Sequence, residues 1–180
     1  MRILSFTLLI CNFFVLIGQE ISNKCNCYSF INWENVDEIT LNDQKNLKKL
    51  HKTEIPCDND LYKIIKDSSD YFLIQHDAYR EYKPHTFAMS DHSLWIKKQN
   101  IFCVYTRTYY EKSFVIYSLP YINSKKIFNR ILKDNEFNTL MIIKNCLNEW
   151  IKVHVTFNGK VYEGWIEKSY YCPLKCTTCT

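Results

Sequence analysis

Thiols dominate the reactive chemistry of this sequence, with nine cysteines in 180 residues. Three lie at the end of the chain as Cys172-x3-Cys176-x2-Cys179. Three thiolates at that spacing can hold an iron–sulfur cluster or take part in a zinc site, and in an oxidising compartment they pair as disulfides. The iron–sulfur use of this spacing serves a long α/β barrel downstream, and only Thr180 follows here. Disulfides are the expectation, and no metal or other cofactor is assigned. Setting aside Cys11, which lies in an apolar leader, the remaining set is even: Cys25, Cys27, Cys57, Cys103, Cys146, Cys172, Cys176 and Cys179. An even set suits a disulfide framework, whose connectivity cannot be read from sequence. A bond between Cys25 and Cys27 would be strained by the single residue between them, so each is expected to reach a distant partner. Cys146 precedes one predicted strand and Cys172 follows the next, which makes Cys146–Cys172 the first expected pair.

A cysteine hydrolase is the natural enzyme alternative, since a thiolate oriented by a histidine is a competent nucleophile. Cys57 and Cys103 are its candidates. However, Cys57 is followed by Asp58-Asn59-Asp60, and His51, His76, His85, His92 and His154 form no paired motif. Asp58 and Asp60 read as a turn rather than calcium ligands, and His154 reads as a solvated strand residue. With three glycines in the whole chain there is no phosphate-cradling loop. The expectation is a protein that binds rather than catalyses; a disulfide-stabilised inhibitor or structural spacer is a further alternative.

Aromatic residues are the better guide to binding, at 16% of the chain. Phe157 and Trp165 are expected in the core. Tyr105, Tyr109, Tyr110, Tyr121, Trp150, Tyr162, Tyr170 and Tyr171 are too many for a small core. Exposed rings can hold extended peptides, and Tyr121, Trp150, Tyr162 and Tyr170 are the expected ligand-binding residues.

The elements that must position these residues are strands. From Ile151 to Phe157 apolar and polar residues alternate, the period of a half-buried strand. Asn158-Gly159 then gives the turn of a two-residue hairpin, where both positions need φ > 0, and residues 160–166 return. Gly164 permits a bulge or a close backbone approach. Upstream, residues 114–117, 127–132 and 139–143 are further short apolar runs, with Asp134-Asn135 as a turn. The run at 71–75 reads as a strand and 78–92 as a long polar loop. Residues 42–51 read either as a short helix capped by Thr40 or as a loop.

Similar text occurs twice. Pro56, Ile65-Lys66-Asp67 and Trp95-Ile96-Lys97-Lys98 match Pro120, Leu132-Lys133-Asp134 and Trp165-Ile166-Glu167-Lys168 in order. The offset grows from 64 at the prolines (120 minus 56) to 70 at the tryptophans (165 minus 95). This predicts a tandem repeat over about 46–100 and 111–171.

Charge excludes one partner class. Lys and Arg number 23 and Asp and Glu 19, a net +4 with no long run of one sign. Nucleic-acid binders concentrate positive charge in a patch or stripe, and nucleic acid is not expected here. Residues 1–18 read as a signal peptide: Arg2 supplies the positive start, residues 3–17 are largely apolar, and Gly18 stands at the cleavage point. That stretch is shorter than the roughly 20 residues a membrane span needs. No second stretch is long enough, so no span is expected in the mature chain, which is expected to be secreted or periplasmic.

Residues 115–172 resemble the bacterial SH3-like domain. The resemblance rests on Val115-Ile116-Tyr117-Ser118-Leu119-Pro120, Ser124-Lys125-Lys126-Ile127, Trp150-Ile151-Lys152-Val153, Asn158-Gly159-Lys160 and Gly164-Trp165-Ile166. The tail from Tyr171-Cys172 to Cys179 is similar to the ending of secreted bacterial proteins with such domains. The resemblance implies a small SH3-like barrel; with the leader and the internal repeat, the chain is expected to be mostly β and to divide into signal peptide 1–18, N-terminal extension 19–45, degenerate SH3-like repeat 46–100, SH3-like barrel 101–171 and Cys-rich tail 172–180. It also implies recognition of cell-wall peptide or an envelope protein.

Overall fold

The structure is a computed structural model that describes residues 23–32, 38–43, 46–51, 61–77, 93–107 and 112–173. The chain is mostly β. Its strands are β1 (Asn23–Ile31), β2 (Glu38–Asp43), β3 (Asn46–His51), β4 (Leu61–Asp67), β5 (Tyr71–Asp77), β6 (Leu94–Lys97), β7 (Phe102–Thr106), β8 (Phe114–Tyr117), β9 (Lys126–Arg130), β10 (Leu140–Leu147), β11 (Trp150–Phe157), β12 (Lys160–Glu167) and β13 (Tyr171–Cys172). They form one antiparallel sheet in the order β3-β2-β6-β5-β4-β1-β7-β10-β11-β12-β8-β9, with β13 added beside β7.

That order reads the same from both ends. Advancing each strand of β3-β2-β6-β5-β4-β1 by six gives β9-β8-β12-β11-β10-β7. Two six-stranded units therefore share one topology and meet antiparallel at β1 and β7. The registers agree residue by residue. In the first unit Ile64 faces Ile74, Ile65 is bulged out, and Lys66 and Asp67 face Leu73 and Phe72. In the second, Ile143 faces Val153, Lys144 is bulged out, and Asn145 and Cys146 face Lys152 and Ile151. Each residue has moved by 79 positions (143 minus 64, 153 minus 74). The next ladder also repeats: Phe72 with Ile96 and Leu73 with Trp95 become Ile151 with Ile166 and Lys152 with Trp165.

The internal similarity read from the sequence thus has a different register in its middle. The tryptophans correspond, at an offset of 70, because the β5–β6 connection is longer than the Asn158-Gly159 turn. Ile65-Lys66-Asp67 corresponds to Lys144-Asn145-Cys146. Leu132-Lys133-Asp134 instead lies after β9, where Asp134–Glu136 form one 3-10 turn.

Burial follows the repeat. Tyr62, Ile64, Phe72, Ile74 and Ile96 are buried, as are their counterparts Met141, Ile143, Ile151, Val153 and Ile166. All ten belong to a single apolar cluster that runs through both units. On β11 the alternation expected from sequence holds, with Ile151, Val153, Val155 and Phe157 inward. Burying such side chains contributes about 1.5–3 kcal/mol each. Trp165, expected in the core, is only half-buried. It stands between Gly164 and Ile166, and these two occupy the buried positions of β12. Gly164 makes the expected close approach, since a Cβ there would lie 2.6 Å from the Tyr117 carbonyl oxygen. The Asn158-Gly159 turn has φ of 49° and 74°, as its sequence requires. Asn42, Asp43 and residues 46–51, read from sequence as a short helix or a loop, instead belong to the antiparallel β2–β3 pair, in which Ile39 faces Leu50 and Asn42 faces Leu47.

Candidate functional site

At one margin of the sheet β9 pairs with β8, and no described strand covers its other side. Five large apolar side chains surround this margin: Leu119, Tyr121 and Ile122 in the β8–β9 connection, Ile127 on β9 and Ile131 just beyond it, all exposed. The connection is held from within. The Ser124 hydroxyl is buried, donates to the Leu119 carbonyl at 2.9 Å and accepts from the Leu119 N–H at 3.3 Å. The Ser118 N–H donates to the Lys125 carbonyl at 2.8 Å. Tyr121 and Ile122 are thereby carried on a fixed loop. An uncovered edge offers backbone donors and acceptors to an incoming strand, and adjacent apolar side chains supply contact area.

Of the four expected ligand-binding residues, one stands in the β8–β9 connection and the other three pack on rings of β8 and β9. Tyr121 is half exposed at this margin. Trp150 is half-buried and packs edge-on against Tyr117, with ring centroids 5.5 Å apart. Tyr162 packs on Phe128 at 4.9 Å, and Tyr170 on Phe114 at 5.6 Å. No ring contact joins any two of the four. Leu119, Ile122, Ile127 and Ile131 were not singled out from sequence. A signal was present: in Lys126-Ile127-Phe128 two large apolar neighbours must point to opposite faces of the strand, and Phe128 is the buried one.

Behind the margin, Arg130 and Glu136 form a two-pronged ion pair. Arg130 Nη1 donates to Glu136 Oε2 at 2.7 Å, and Nη2 meets Oε1. The Lys133 N–H and the Asn158 side-chain amide also donate to this carboxylate, at 2.9 and 3.0 Å. The Arg130 guanidinium is the main reason the Glu136 carboxyl is held down at about 2. Glu136 thus ties the 3-10 turn to the β11–β12 turn.

No family model, curated protein or solved structure matches the chain.

The second concentration of chemistry lies inside. Cys25 and Cys27 of β1 and Cys146 of β10 are all buried, and the Cys27 and Cys146 sulfurs are 3.0 Å apart. The strands are locked at this point. The Asn26 N–H donates to the Asn148 carbonyl and the Asn148 N–H to the Lys24 carbonyl, each at 2.7 Å. Asp67, buried on β4, accepts the Cys146 N–H at 2.6 Å and pairs with Lys98 at 2.6 Å. The Cys27 thiol is lowered, chiefly by its hydrogen bond with Cys146, while burial drives the Cys146 thiol far up. The buried Tyr171 hydroxyl next to them makes no hydrogen bond of normal geometry, and burial raises it well above its usual value.

This cluster corrects the expected Cys146–Cys172 pair. Cys146 stands as a thiol facing Cys27. Cys172 is disulfide-bonded and lies on β13 against Tyr105 of β7, away from β10. No disulfide joins two described cysteines. Cys103 is buried on β7. Cys57, Cys176, Cys179, Asp58, Asp60, His85, His92, Tyr109, Tyr110 and the leader lie outside the described residues. Among the described residues no group of three His, Cys, Asp or Glu has the geometry of a metal site. His154 faces Glu163 across the β11–β12 ladder at 3.9 Å on the partly exposed face of β11.

Proposed function

We propose that this chain is a non-catalytic, exported binding module of the SH3-like kind, which holds an extended segment of cell-wall peptide or of an envelope protein. The carrying observation is the apolar rim of Leu119, Tyr121, Ile122, Ile127 and Ile131 beside the edge of β9 that no described strand covers. An extended ligand takes its main-chain hydrogen bonds from such an edge and its side-chain contacts from the rim. The apolar leader at residues 3–17 and the cysteine content support export. The hydrolase alternative has less support. Of its two candidates, Cys57 lies outside the described residues, and Cys103 is fully buried on β7, where a substrate would not reach the thiol.

The test is co-sedimentation of the mature protein with purified cell-wall sacculi. The expected result is retention that falls about tenfold in Tyr121→Ala/Ile122→Ala, a loss of about 1.4 kcal/mol. Trp150→Ala and Tyr162→Ala are controls for packing. Absence of retention by the unaltered protein would remove the cell wall as ligand.

A further inference from the structure

We propose that Cys27 and Cys146 form a native disulfide that fastens the first strand of one unit to the second unit, leaving Cys25 as a thiol beside it. Three observations carry this. The two sulfurs already touch at 3.0 Å, so closing to the roughly 2.0 Å of a disulfide needs an adjustment of side-chain torsions rather than movement of strands. The backbone on both sides is pinned by the paired hydrogen bonds between Lys24, Asn26 and Asn148 and by the Asp67 carboxylate on the Cys146 N–H. The lost S–H donor leaves nothing stranded, because the Asn148 carbonyl that Cys27 approaches at 3.3 Å also accepts the Asn26 N–H. The choice between the two β1 cysteines follows from distance: both thiols face Cys146, but it is the Cys27 sulfur that lies 3.0 Å from the Cys146 sulfur, while the Cys25 thiol donates to the Asn23 carbonyl at 3.7 Å.

The chemistry is thiol–disulfide exchange with a small-molecule disulfide such as oxidised glutathione. The Cys27 thiolate, its proton released to solvent, attacks one sulfur and expels one glutathione thiolate. The Cys146 thiolate, likewise deprotonated, then attacks the Cys27 sulfur of the mixed disulfide and expels the second. The protein loses two electrons and two protons, and the oxidant becomes two thiols. Both sulfurs are buried in the folded protein, so the bond forms while the units are docking. It closes a separation of 119 positions, a long loop whose closure restricts the unfolded chain strongly.

The test is refolding of the reduced mature protein in a glutathione redox buffer, acid quenching, alkylation under denaturing conditions and non-reducing peptide mapping. The expected result is a peptide linking Cys27 to Cys146, with Cys25 alkylated. The oxidised protein should also melt about 10 °C above an equally oxidised Cys27→Ala/Cys146→Ala variant. Recovery of both residues as alkylated thiols, or of either one joined to a different cysteine, overturns the proposal. The map is read on the unaltered protein, so it decides even where the variant fails to fold. It is also independent of whether the β9 margin binds a ligand.

Discussion

Phe30 of β1 and Tyr105 of β7 stack face to face, with centroids 5.0 Å apart and planes within 16°. They are also counterparts. Phe30 pairs with Cys103 and Ile31 with Phe102 at the seam. Combined with the ladders to β4 and β10, this maps Phe30 onto Tyr105. The two rings therefore meet across an approximate two-fold axis that relates the units. Phe30→Ala and Tyr105→Ala should each cost about 2 kcal/mol. A double-mutant cycle should return a coupling of about 1 kcal/mol in urea denaturation.

Gly164 is required by space rather than by φ. Gly164→Ala places a methyl group 2.6 Å from both Ile116 Cγ2 and the Tyr117 carbonyl oxygen, so β8 and β12 must part. The expected loss is about 2–3 kcal/mol. Gly159→Ala meets no atom within 4 Å and bears only the strain of its positive φ, about 1 kcal/mol. Thermal unfolding of the two variants should rank them in that order.

Acid should loosen the end of the sheet that carries the proposed binding margin. The Glu136 carboxyl has a folded value of about 2 against an ordinary 4.5, with Arg130 as the main cause. A depressed carboxylate stabilises the fold fully above its unfolded value and loses that contribution as pH falls. The window is from about 4.5 down to about 2. Urea midpoints should show Glu136→Gln below the unaltered protein at pH 6, with the gap closing across this window. A gap that stays constant to pH 2 would contradict this role for the ionised carboxylate.

Asp67 should be intolerant of substitution. It is buried, pairs with Lys98 at 2.6 Å and accepts the Cys146 N–H. Asp67→Ala leaves Lys98 without this partner and the amide without its acceptor, at a cost of roughly 3–5 kcal/mol. Lys98 also lies over the Phe72 ring, at 4.7 Å. Asp67→Ala/Lys98→Met should therefore recover part of the loss, as read from denaturation midpoints.

The strands of the second unit were legible because their signals are local. Ile151 to Phe157 alternates, Asn158-Gly159 can be little other than a hairpin turn, and Gly164 marks a close approach. The repeat was visible at Trp95 and Trp165 because the Trp-Ile pair serves one purpose in both copies: Ile96 and Ile166 are buried while each Trp is half-buried. Its middle was misread because the conserved feature there is a bulge and a ladder register. Backbone geometry does not require Lys144-Asn145-Cys146 to look like Ile65-Lys66-Asp67. The β2–β3 hairpin was missed because residues 44–45 are Gln-Lys after Asp43, without the Asn-Gly or Asp-Gly that announces a tight turn. The site was least legible. Cys27 and Cys146 are brought together only by the seam between units, and the rim of β9 depends on which strand ends the sheet. Both are matters of long-range order, on which composition and periodicity are silent.

The seam has one more implication. Antiparallel pairing of β1 with β7 about an approximate two-fold axis is how two identical subunits would join. A polypeptide of half this length, ending after its sixth strand, would leave that first strand bare and could complete itself with a twin. The covalent link between residues 97 and 102 makes such a dimer permanent. It also frees the halves to diverge, so that a buried carboxylate, Asp67, stands in the first where the second has the thiol of Cys146.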